Sequence, residues 1–363
     1  MVTRDEQPAA RSPVVGLVAH EATLGHDAGT AHPEQPSRVS TILEHLDRTG
    51  LARRLESVEP EAVPREVLEL AHSPEYVRLL WEIDDAGGGR VDLDTRMGSG
   101  SLAAVLVSSG AAVEAAARIL DGRWSSAFVV ARPPGHHATY DGPLSQPAWT
   151  AVRASLGFCL VNHAAVAARW AIHHGGAARV AILDWDAHHG NGTQDVFWED
   201  PQVLFMSVHQ FPFYPGTGDV TETGGASADG LTVNVPLPAG SGEDAYARAF
   251  EEVFVPAARK FDPDLLIVSA GFDAHVRDPV CLMGLTAGAF HRFTRMLQRI
   301  GPGLLCVLEG GYDLSALSWS SASTVSALVG EAEPVGVPPD EVGALPGATE
   351  AHRWVDRAAA HLS

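Results

Sequence analysis

The sequence predicts an α/β protein: one domain built on a central, mostly parallel sheet with helices on both faces. Three observations carry this. Short apolar, β-branched runs alternate along the chain with alanine-rich, helix-periodic stretches, the pattern of strands joined by helical crossovers. The runs are apolar at nearly every position, as strands covered on both faces require. Unusual polar residues follow the runs at their C-terminal ends, which is where open parallel sheets place their ligands.

Composition sets the bounds. A chain of 363 residues, 45% hydrophobic, has room for one large domain with a substantial core. Its 25 basic and 45 acidic residues leave a net charge of −20 at pH 7. That balance argues against a nucleic-acid surface and leaves a cationic substrate open to long-range attraction. Cys159, Cys281 and Cys306 are odd in number and widely spaced, so they read as core thiols and form neither a disulfide framework nor a zinc clip. Residues 1–12 read as a disordered tail without an apolar leader core, and no run of 18 apolar residues follows. The expectation is a soluble, cytoplasmic protein with no membrane partner.

The chain opens with a strand at 14–19 and a loop carrying His20, His26 and His32. Histidines in such a loop ordinarily lie at the surface. A helix follows at 39–48, then a short strand at 67–71. A second helix starts at His72, with Ser73 as N-cap and Pro74 in its first turn. Beyond a glycine break at 87–89 lies a loop in which Asp92 and Asp94 read as solvated turn residues. An alanine-rich helix spans 102–120 and closes at Asp121 and Gly122.

The strand at 127–131 exits into RPPGHH. Two prolines stiffen that exit and Gly135 relaxes it, presenting His136 and His137 as a paired acid/base unit. Residues 138–156 form a loop too long for a plain connection. GFCLVNH then reads as a strand-like start to an alanine-rich helix ending near His174.

The next strand, 180–183, runs into LDWDAHHGNGTQ, where Asp184, Asp186 and His188 alternate with other residues. Residues two apart on an extended chain face the same way, so these side chains can converge. Two carboxylates and an imidazole at a strand's mouth suit a divalent transition metal. The plain alternative is a polar loop whose aspartate caps a helix. A strand at 203–208 leads into QFPFYPGTGD, and a helix covers 243–261. The strand at 265–270 exits at Asp273, and the strand at 304–308 exits into EGGY, ending in Tyr312. A helix at 314–329 ends the main domain, spanning 13–330, and 331–363 reads as a proline-rich linker with a C-terminal helix. The polar residues of four separate strand exits fall at one end of the sheet, which favours the metal-site reading.

RPPGHH, GFCLVNHAAVAA, LDWDAHHGNGTQ, FYPGTG, GFDAHVRDP and EGGY, in this order and spacing, resemble the zinc-dependent histone deacetylase family over residues 14–330, notably its class II and bacterial amidohydrolase branch. The resemblance implies the arginase/deacetylase fold. It implies one Zn²⁺ per chain on Asp186, His188 and Asp273, with an open position that activates water. It also implies a structural K⁺ on oxygens of Asp184, Asp186, His188 and Ser207. His137 becomes the general base and acid and His136 its electrostatic partner. Asp184 stands behind His136, and Asn191 stands behind His137, where class I members carry aspartate. Tyr312 takes the position that polarises the carbonyl.

Phe158 and Tyr214 match the walls of an acyl-lysine tunnel, with Gly157 beside Phe158. Asp94 matches the rim aspartate that holds the substrate backbone, and Arg38 the arginine near an inner channel. Val280 falls where polyamine-specific members carry glutamate, which makes spermidine-type substrates less favoured. The implied substrate is an acetylated lysine peptide or a small acetylated amine. Alternatives are an acetylpolyamine or secondary-metabolite deacetylase and, from a different class, a catalytically weak acyl-lysine binding protein. An arginase-like enzyme with two manganese ions needs further carboxylates where this chain has His189 and Gly190. The segment 140–156 exceeds its family counterpart and would either narrow the entrance or make a homo-oligomer contact.

Overall fold

The computed structural model describes residues 14–152, 156–301, 303–334 and 348–362. The expected tail at 1–12 and much of the expected linker lie outside the described residues. In chain order the strands are β1 (Val15–Val18), β2 (Glu56–Val58), β3 (Gly89–Arg90), β4 (Arg96–Met97), β5 (Ser126–Val129), β6 (Val180–Asp184), β7 (Val203–Gln210), β8 (Thr232–Leu237), β9 (Leu265–Ala270) and β10 (Gly303–Leu308). Eight of them form one sheet in the order β2-β1-β5-β10-β9-β6-β7-β8, parallel at every pairing. β3 and β4 make a separate antiparallel hairpin.

The apolar runs become strands because both faces are covered. On β6, Val180 and Ile182 belong to one core layer and Ala181 and Leu183 to the other, the period of two expected of a pleated strand. The helix Pro74–Asp85 begins as predicted, with Ser73 Oγ accepting from the Tyr76 amide. The helix Ser101–Leu120 is long and apolar enough to cross a membrane by composition alone, but 67% of its most apolar window is buried inside the protein. It packs on the helix His163–His173, as a core helix does. The helix Ala348–Ala360 sends Ala351, Val355 and Ala358 into the other core layer.

Three expectations change. Residues 67–71 are not a strand: Arg65–Leu68 is a short helix behind Pro64 with Leu68 buried, followed by a turn that buries Ala71. β2 and β8 have no counterpart in the sequence reading; β8 carries Pro236 and lies at the sheet edge, where a missing amide costs least. The strand-like start at GFCLVNH is a turn, with Gly157 at φ 47 and Phe158 at φ 72.

The four strands that bear on function, β5, β10, β9 and β6, are adjacent in the middle of the sheet. Their C-terminal exits therefore open onto one place.

Candidate active site

β6 stops at Asp184, and the chain leaves the extended conformation. The three alternating side chains therefore do not all meet. Asp184 turns to His136, with Oδ2 2.8 Å from Nδ1. Asp186 and His188 turn instead toward Asp273 from the end of β9. His188 Nδ1 lies 3.1 Å from Asp186 Oδ1 and 2.8 Å from Asp273 Oδ2, and the three residues offer ligand atoms all within 4.8 Å of one another.

Backbone amides hold these carboxylates. Gly310 N donates to Asp186 Oδ2 at 2.9 Å, and Ala187 N to Asp273 Oδ1 at 2.8 Å. A Cβ on Gly271 would sit 2.0 Å from Asp186 Oδ2, so only glycine admits that carboxylate. Burial and the Asp186 carboxylate push Asp273 up to about 7. Two fully buried carboxylates this close resist ionising together unless a cation joins them. With an imidazole nitrogen as third donor, the set fits Zn²⁺. His136, Cys159 and Glu309 also approach one another, but burial pushes the Cys159 thiol well up, so no thiolate is offered to a metal there.

His136 and His137 leave the stiffened exit of β5 side by side, ring centroids 4.0 Å apart. Burial opposes the His136 cation, but Asp184 and Asp186 outweigh it and raise its pKa well above the ordinary imidazole value. His137 faces the neutral Asn191, whose Oδ1 lies 2.6 Å from Nδ1. Burial, then His136 and His188, hold His137 well below the ordinary value. With its proton on Nδ1, His137 Nε2 carries a free lone pair.

Tyr312 follows β10. Its amide donates to Asp278 Oδ2 at 2.6 Å, as does that of Asp313 at 3.2 Å. Arg38 lies over its ring, 5.1 Å from the centroid. Burial keeps the Tyr312 hydroxyl protonated far above neutrality.

Phe158 and Tyr214 bound the approach. Phe158 meets Tyr312 edge-on at 6.0 Å, and Tyr214 meets His137 at 5.3 Å. The Tyr214 hydroxyl donates to Asp94 Oδ2 at 2.9 Å, linking two predicted residues from opposite sides of the opening. Gly157 takes a role the sequence did not suggest: a Cβ there would lie 2.3 Å from His137 Cδ2. Val280 sits in the loop of Asp278, its amide donating to Asp278 Oδ1 at 3.1 Å. Asp184 and Ser207 are register partners on β6 and β7, and Ser207 Oγ bonds His209 Nδ1 at 2.9 Å. In the long segment after His137, Tyr140 and Trp149 are held by Asp195, which accepts from Tyr140 N and Trp149 Nε1.

Other contributors escaped the sequence reading. Asp92 is no solvated turn residue: it accepts from the amides of Asp94, Thr95 and Leu156 and fixes the rim. Glu309 Oε2 accepts from Gly135 N at 2.6 Å and His136 N at 3.1 Å. Buried Glu34 pairs with Arg38 and Arg132 and approaches His26, so His26 is an interior residue. Arg132 and Glu309 lie inside RPPGHH and EGGY and could have been flagged. Glu34 offered only its i,i+4 spacing to Arg38, outside the helix predicted at 39–48.

Paired imidazoles, buried carboxylates and a tyrosine above four adjacent parallel strands define an acid/base site on the arginase/deacetylase fold. Residues 32–328 match the family described as "Histone deacetylase domain". A protein named "Probable deacetylase" from Archaeoglobus fulgidus is 38% identical over 327 residues, covering 87% of each chain. "Histone deacetylase 10, chloroplastic" of Oryza sativa is 37% identical, covering 87% of this chain and 73% of its own. The crystal structure of the HDA15 HD domain superposes with a TM-score of 0.85 at 33% identity, covering 96% of this chain and 95% of that one. The chain belongs to the histone deacetylase family. These relatives support a deacetylase function, hydrolysis of an amide, in a family that is generally zinc-dependent.

Proposed function

We propose that the chain is a Zn²⁺-dependent deacetylase that hydrolyses the acetyl amide of acetyl-lysine or a small acetylated amine and releases acetate. The carrying observation is the neutral His137 beside the Asp186, His188 and Asp273 donor set. Zinc held by those three residues would polarise the amide carbonyl and acidify water. His137 Nε2 takes the proton of the attacking water and returns it to the departing amine. The Tyr312 hydroxyl, kept protonated by burial, donates to the carbonyl oxygen as negative charge develops there. His136, charged and held by Asp184, stabilises the same charge. Oxygens of Asp184, Asp186, His188 and Ser207 would hold the K⁺ beneath. Val280 offers no carboxylate to a second ammonium group, which supports acyl-lysine over polyamines.

The test is acetate release by zinc-loaded protein from an acetyl-lysine peptide and from N-acetylated polyamines, with and without a hydroxamate. Hydroxamate-sensitive turnover of the peptide, lost in Tyr312→Phe with one zinc still bound, supports the reading. Stoichiometric zinc without turnover of either substrate overturns it.

A further inference from the structure

The hairpin at the rim carries an arrangement that stability does not account for. Arg90 on β3 and Arg96 on β4 are direct cross-strand partners, so their side chains leave the same face of the ribbon. Like charges placed opposite one another destabilise a strand pair. Both side chains line one cavity of ≈ 370 Å³. Among the described residues neither guanidinium pairs with a carboxylate; Arg90 Nη1 donates to the Leu93 carbonyl at 2.9 Å. Elsewhere arginines find acids readily, as Arg65 does with Glu69 and Arg118 with Glu114. In a chain with 45 acidic residues against 25 basic ones, two adjacent unmatched cations are unexpected.

The cavity's position supplies the reason. Phe158 and Asp94 also line it, so it opens beside the proposed acyl tunnel. Asp94, the one acid in its lining, accepts from the Tyr214 hydroxyl through Oδ2 and from Thr95 Oγ1 through Oδ1, both at 2.9 Å. His32 lines the cavity too and stands edge-on to Phe158 at 4.5 Å. Asp92 anchors the loop between the two arginines through three backbone amides, so the arginines are carried on a fixed frame.

We propose that Arg90 and Arg96 bind a carboxylate of the substrate in this cavity, so that the enzyme favours acylated amines bearing a carboxylate close to the scissile amide. This rests on the deacetylase reading above. A carboxylate between two guanidiniums accepts charge-assisted hydrogen bonds from both and removes their mutual repulsion. Two sources share this chemistry: an acidic side chain flanking an acetyl-lysine in a peptide, and the α-carboxylate of free Nε-acetyl-lysine. Both arginines are exposed, so salt screens the contact and the effect is modest.

The experiment measures kcat/KM by acetate release for a peptide with glutamate or glutamine beside acetyl-lysine, and for free Nε-acetyl-lysine or its carboxamide. The expected result is a preference for the charged member of a pair of about 3- to 10-fold, through KM, that shrinks at high salt. In the Arg90→Ala/Arg96→Ala variant the preference disappears while the neutral members keep their rates; Arg90→Lys/Arg96→Lys retains part of it. Preference only within the peptide pair assigns the site to an acidic side chain. Preference only within the amino-acid pair assigns it to an α-carboxylate. Equal turnover of charged and neutral members overturns the inference and leaves the deacetylase reading intact. No turnover of any substrate overturns both.

Discussion

His136 and His137 lie with ring centroids 4.0 Å apart, tilted by 42°, yet their neighbours drive them to opposite protonation states. Asp184 at 2.8 Å stabilises a cation on His136; Asn191 at 2.6 Å offers His137 an amide oxygen and no charge. The cation on His136 is itself a reason for His137 to stay neutral. One ring becomes a fixed charge and the other a proton acceptor, a division set by one residue behind each.

Asn191→Asp removes that division. A carboxylate on His137 Nδ1 raises the His137 pKa. In the proposed mechanism His137 acts as base only when neutral, so activity is lost as pH falls through that pKa, and raising the pKa moves the acidic limb upward. The pH profile of kcat/KM is expected to shift by about one unit or more on its acidic side. An unmoved limb would show that another group titrates there.

Gly157→Ala tests steric room for the base. The added Cβ would lie 2.3 Å from His137 Cδ2 on a residue at φ +47, so the imidazole must move. Misplacing a reacting group by about 1 Å costs roughly 100-fold in kcat, while strain lowers stability by about 1–3 kcal/mol. On the proposed function, zinc content should stay at one per chain. Activity near that of the parent would mean that the ring is not held by this contact.

The polar groups legible in the sequence were those carried on the C-terminal exits of apolar runs. Asp273 and Tyr312 lie within four residues of the ends of β9 and β10, and His136 and His137 lie within eight of the end of β5 across the proline-stiffened exit, so strand prediction carried them to one face. Asp184 shows the limit: alternation assumed an extended chain, but the strand stops there, and Asp184 serves His136 while Asp186 and His188 meet Asp273. The Glu34 network was illegible for another reason. Arg132 reaches Glu34 across 98 residues and Arg38 reaches Gly311 across 273, separations at which no spacing rule operates. β8 was not read from the sequence; its Pro236 is tolerated because the assembled sheet leaves that strand at an edge.

Asp278 positions Tyr312 without touching its hydroxyl. Asp278→Ala removes the acceptor of the Tyr312 and Asp313 amides, freeing the backbone that aims the phenol. The expected outcome is a fall in kcat of roughly 10-fold with little change in KM, since a group acting in the transition state is misaimed. Asp278→Asn keeps an acceptor oxygen and should recover part of the rate. Equal losses in both variants would point to the charge of Asp278 instead.

His72 supplies the last prediction, on acid stability. Its Nε2 accepts from the Asn162 amide at 2.9 Å, and its Nδ1 donates to the Thr139 carbonyl at 3.0 Å. The ring is therefore locked in one neutral tautomer, because a proton on Nε2 would confront the Asn162 N–H. Burial pushes its pKa down to about 4, and the same cause takes His26 and His163 to about 4. A histidine depressed in the folded state binds its proton more readily when unfolded. Its contribution is complete above the unfolded pKa of about 6.5 and is lost as pH falls from there toward 4. For His72 alone the full loss is roughly 3 kcal/mol. The urea midpoint should fall steadily between pH 7 and 5. His72→Gln, which keeps an acceptor for Asn162 N, should begin from a lower midpoint at pH 7 and show a shallower fall. Parallel falls in the two proteins would remove His72 as a source of the acid sensitivity.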